Sequence, residues 1–176
     1  MISRATLAFV TLAAFAAPAA AQDGAYYAIP GSQTTGPRVL NPGSTNPSFY
    51  ANQFFLPVPQ PDRERLTSLY QAGDGDAILS FLAMRAAEDQ VWAMVELAAI
   101  NAKGTIGDAD PVNSLNWFAE AARHGHGLSA LILGSVYARG TVIAPDAAKA
   151  RYWLSMAQDL GDFQVQRDAR KVLASL

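Results

Sequence analysis

From about residue 62 onward, apolar residues recur at helical spacing, and the pattern is cut at regular points. Leu128 to Arg139 follows a helix period and stops at Gly140, a natural terminator. Pro145-Asp146 then opens a second helix over Ala147 to Leu160, which stops at Gly161. The preceding stretch has the same order: Trp92 to Lys103, a stop at Gly104, a start at Asp110-Pro111 and a stop at Gly125. Asp110 is placed to cap, and Pro111 falls in the first turn, where a missing amide costs nothing.

A displacement of 36 residues relates these helix pairs. Gly104 meets Gly140, Asp110 meets Asp146, Trp117 meets Trp153, Ala121 meets Ala157 and Gly125 meets Gly161. Leu97 and Leu133 keep the register, as do Lys103 and Arg139. One period earlier, Asp74 and Phe81 answer Asp110 and Trp117; one period later, Ala169 and Leu173 answer Leu133 and Tyr137. Helix pairs of this size cannot bury their faces alone and gain stability by stacking. The fold expected is all-α: an α/α solenoid of antiparallel helix pairs. Its units are a degenerate 62–89, then 93–125 and 129–161, with a closing helix over 164–176.

The chain before residue 62 has a different character. Seven of the ten prolines fall between Gly24 and Pro61, and Arg38 is the only charge there. Prolines so closely spaced remove amide donors and break any helix, so residues 22–61 are expected to form an extended or disordered leader. Tyr26, Tyr27, Phe49, Tyr50, Phe54 and Phe55 make it sticky. Phe49 to Leu56 either lies back over the helices or docks on another protein. At the amino terminus, Arg4, the apolar run Leu7 to Ala17 and the Ala19-Ala20-Ala21 end have the three parts of a secretory signal peptide. Cleavage after Ala21 is expected, leaving no membrane span and a periplasmic or secreted bacterial protein.

Composition narrows the function. Net charge is −2 over 176 residues, which argues against a broadly basic nucleic-acid binder. With no cysteine there is no disulfide, thiolate metal site or cysteine nucleophile. His124 and His126 flank Gly125 at a helix end, where a helix dipole favours them, and a metal would need a third ligand. Asp110 and Asp146 occupy one repeat position, which points to capping rather than acid–base work. Asp74-Gly75-Asp76 lacks the remaining ligands of a calcium loop. Neither a phosphate loop nor a G-x-S-x-G setting is present. Trp92, Trp117 and Trp153 read as core. No cofactor, metal or catalytic residue is expected.

The run Ser129-Ala130-Leu131-Ile132-Leu133-Gly134, followed by Tyr137, Gly140, Asp146, Lys149-Ala150, Trp153, Ala157 and Gly161, resembles the Sel1-like repeat family. Residues Ala93 to Gly125 resemble it too, departing at Ala98 and Asn101, where the family has glycine and tyrosine. The resemblance implies short tetratricopeptide-like helix pairs that act as interaction scaffolds in signalling or envelope processes. Some secreted relatives carry cysteine pairs in each repeat, which this chain lacks.

In solenoids of that kind the first helices line the concave side. Glu96, Ile100 and Lys103 share one face of a first helix, and Ile132, Val136 and Arg139 repeat it. Val172 continues the row, which either lines a groove for a peptide or partner helix, or packs against the next helix pair. The expected function is a non-catalytic scaffold that binds another protein or peptide, within envelope signalling or surface-polysaccharide regulation. The alternatives are a hydrolase acting on cell-wall material or a β-lactam, and a structural envelope protein.

Overall fold

The computed structural model describes residues 56–176. The expected signal peptide and residues 22–55 of the leader lie outside the described residues. Among the described residues seven helices follow one another, with no strand: α1 (Gln60–Ala72), α2 (Gly75–Ala87), α3 (Val91–Lys103), α4 (Pro111–Arg123), α5 (Gly127–Arg139), α6 (Ala147–Leu160) and α7 (Phe163–Leu173). The architecture is an all-α helical repeat solenoid. α3 packs on α4 and α5 on α6 within a unit. α2 packs on α3 and α4 on α5 between units, while α7 rests on both α5 and α6.

The 36-residue register has a local cause. Asp74 Oδ1 accepts from the Ala77 backbone N–H, Asp110 Oδ1 from Asn113 N–H, and Asp146 Oδ1 from Ala148 and Lys149 N–H, all at 2.9–3.0 Å. Each repeat therefore spends its aspartate on the orphan amides that start its second helix. The first helices end alike: Gly73, Gly104 and Gly140 close α1, α3 and α5 in the left-handed region, at φ of +71°, +62° and +68°. A side chain at Gly140 would be doubly opposed, because its Cβ would also lie 2.7 Å from Pro145 Cδ.

Helix α1 corrects one expectation. It begins at Gln60, so Pro61 belongs to the helix rather than to the leader. A proline in the first turn forfeits no intrahelical hydrogen bond, and its fixed φ suits that position. Asp62, 7 % exposed, pairs with Arg85 of α2 at 2.7 Å and ties the first two helices together.

The core runs the length of the stack. Leu66, Ile78, Leu97, Leu133 and Leu154 are among its enclosed side chains, and Trp117 and Trp153 are buried with them. Helices α5 and α6 approach closely because residue 134 is glycine: a Cβ there would stand 2.5 Å from Leu154 Cγ. In the preceding unit Ala98 takes that place and is wholly buried, so the α3–α4 crossing accommodates one methyl group.

Candidate partner-binding face

The face of interest is built by the first helices of successive units. On α5, Ile132 and Val136 are half-buried and Arg139 is exposed. On α7, Val172 is half-buried, and α7 packs directly on α5; Ile132, Val136 and Val172 each rest one side on the core. Lys103 at the end of α3 is exposed as well.

Glu96 and Ile100 depart from the expectation. They are 2 % and 1 % exposed, so neither presents a surface to a partner. On α3 burial is continuous, and all nine residues from Trp92 to Ile100 are enclosed. On α5 only Gly127, Ser129, Ala130, Leu133 and Gly134 are buried. One repeat position is thus core in one unit and half-exposed in the next two, and the row is open only from α5 onward. Glu96, though charged and buried, is not without a partner.

The departure of the first repeat at Asn101 is a matched exchange. In the second repeat, the Tyr137 carbonyl accepts from Asp146 N–H at 2.9 Å, and the Lys149 ammonium stands 5.3 Å from the centre of the Tyr137 ring. In the first, the Asn101 carbonyl accepts from Asp110 N–H at 2.8 Å, and the Asn113 amide donates to Asn101 Oδ1 at 2.9 Å. Asn101 and Asn113 stand 36 residues before Tyr137 and Lys149. The same backbone turn is locked once by a hydrogen-bonded amide pair and once by a cation over an aromatic face. Residue 101 alone looks like a lapse from the pattern; the contact shows that Asn113 answers it where the next repeat has Lys149.

The histidines do not converge. His126 Nδ1 lies 2.7 Å from Ser129 Oγ, whereas His124 Nε2 faces Asp89 at 3.7 Å. Among the described residues no three His, Asp or Glu side chains gather in a metal-sized cluster. Ser129 itself is fully buried.

Two carboxylates on the exposed side are held below their usual range. For Asp146 the backbone N–H of Lys149 is the main cause, aided by the Lys149 ammonium and the Ala148 N–H. For Asp168 it is hydrogen bonding from Lys171, then from Arg167. A depressed folded value stabilises at pH above the ordinary carboxylate value of 3.8 and is lost as pH falls through the lower folded one. Wild type should therefore hold a constant melting-temperature advantage over Asp146→Ala near neutrality, which shrinks as pH falls below 3.8 while the neutral carboxyl keeps a residual cap. Thermal melts at stepped pH read this; an advantage unchanged in acid would overturn it.

A cleft of about 430 Å³ lies at the amino-terminal ends of α5 and α7. Leu128, Leu131, Leu160 and Val165 supply its apolar walls, and His126 and Asp168 stand at its edge. Gly127 and Gly161 bring two turns into contact there, since a Cβ on Gly127 would lie 2.5 Å from the Gly161 backbone. Nothing in the residue pattern announced this cleft. Its walls come from three helices and from Leu56, which precedes them all.

No curated protein matches the chain. The profile of the Sel1 repeat matches residues 93–126 and again residues 128–162, the pairs α3–α4 and α5–α6. Sel1 repeats typically serve as protein-interaction scaffolds, and the family is generally non-catalytic. With its recurrent aspartate caps and left-handed glycine stops, this chain carries two Sel1 repeats over residues 93–162.

Proposed function

We propose that this chain is an exported, non-catalytic scaffold that holds another protein or a peptide on the face formed by α5 and α7. The observation that carries the reading is the row Ile132, Val136 and Val172, half-buried on adjoining first helices and bordered by the exposed Arg139. Lys103 stands one repeat before Arg139 and is exposed too. An apolar strip with a basic border suits an amphipathic partner helix or an extended peptide with acidic residues. Export rests on the Arg4, Leu7–Ala17 and Ala19–Ala21 pattern, and a role in envelope signalling or surface-polysaccharide regulation rests on the family resemblance. No helix among the described residues is long and apolar enough to cross a membrane. Among the described residues, the Ser129 hydroxyl that meets His126 is enclosed at 0 % exposure.

Val136→Glu tests the face. A carboxylate at this half-buried site interrupts the apolar row and draws Arg139 away from an acidic ligand. Proteins captured from periplasmic extract by the immobilised mature chain should be lost with the variant, while its melting temperature stays close to wild type. A folded variant that retains the same proteins would overturn this reading of the face.

A further inference from the structure

The chain enters its described part inside the cleft at the ends of α5 and α7. Leu56 is half-buried and lines that cleft together with Leu128, Leu131, Leu160 and Val165. The next residues fix the direction of the chain. Val58 is 2 % exposed, its carbonyl accepts from Arg63 Nη2 at 3.1 Å, and the Pro59 carbonyl accepts from Arg63 N–H at 2.9 Å. Residues 57–59 therefore form an anchored strap between the start of α1 and the cleft, although α5 and α7 lie in later units.

Phe54 and Phe55 stand immediately upstream of Leu56. At no more than about 3.6 Å of backbone per residue, the Cα of Phe54 stays within roughly 7 Å of the Cα of Leu56. The local concentration of these rings at the cleft is on the order of millimolar whatever the rest of the leader does. Nothing in the neighbouring sequence opposes burial, since Arg38 is the only charge between Gly24 and Pro61. The rings supply large apolar area, and the cleft offers leucine and valine walls at a polar edge of His126, Gln164 and Asp168.

We propose that Phe54 and Phe55 occupy this cleft in the isolated chain, so that the leader straps back over the first-helix face of its own solenoid. An outside partner that extends along α5 as far as Leu128 and Leu131 then competes with the chain's own aromatic pair. That consequence rests on the scaffold reading; the occupancy does not.

The test uses the full-length mature chain with no partner present, so its outcome is independent of partner binding. With p-benzoylphenylalanine in place of Phe54, illumination should give a cross-link at the mass of one chain. It should map to tryptic peptide 124–139 or 152–167, which carry the walls of the cleft. Cross-links mapping elsewhere would overturn the proposal, and so would cross-links at twice the mass, which would make a second copy the occupant. A labelled peptide of residues 48–56 gives a second reading. It should bind Phe54→Ser/Phe55→Ser at least about tenfold more tightly than wild type, whose cleft is already filled by a tethered copy. Equal affinity for the two would also overturn the proposal.

Discussion

Trp153→Ala is expected to destabilise the solenoid by about 3–5 kcal/mol, the range for deleting a large buried aromatic side chain. The ring is only 7 % exposed. Tyr152 meets it edge-on at 5.0 Å between centroids, and the Arg123 guanidinium of the preceding unit stands 5.9 Å from its centre. Removing it opens a cavity in the buried core, and the surrounding side chains, held by their own helices, relax only in part. Neighbouring units stabilise one another in a stack this short, so the loss should appear in the melting of the whole domain. Urea unfolding followed by circular dichroism measures it. A loss below about 1 kcal/mol would mean that the ring is not part of the inter-unit core.

Ile100→Glu is expected to be more damaging still. Ile100 is 1 % exposed on a helix buried over nine consecutive residues, and an unpaired carboxylate there costs several kcal/mol. Small domains have about 5–15 kcal/mol in total, so the variant should lose most of its cooperative transition. Val136→Glu occupies the identical place one repeat later and should melt almost as wild type does. The contrast between two substitutions at one repeat position reads the difference in enclosure directly. Equal melting temperatures would mean that α3 is not more enclosed than α5.

These paired outcomes bear on how much the residue pattern alone conveys. Helix ends were legible because their causes are local. Asp74, Asp110 and Asp146 accept hydrogen bonds from amides two or three residues away, and Gly104 and Gly140 adopt a backbone conformation that the chain imposes on itself. The stacking of units was legible for a related reason: Trp117 and Trp153 keep the register of those caps, and large apolar residues on both sides of a helix pair require neighbours. Even the onset of α1 was missed only by reading Pro61 as a breaker, when two residues of context make it a first-turn proline.

The chain by itself thus determined the all-helical class, the 36-residue unit, the caps and the two Sel1 repeats, since each depends on contacts within a turn or between sequence neighbours. Only the tertiary structure decided which members of a periodic row are available. Glu96 and Ile100 hold the same repeat positions as Ile132 and Val136, but the first pair is buried in the stack, while the second is left half-open. It also decided that Asn101 and Asn113 act together, and that Leu56 shares a cleft with Val165 more than a hundred residues later. Periodicity records which face of a helix a residue occupies; burial depends on how many other helices reach that face, and that is a property of the whole stack.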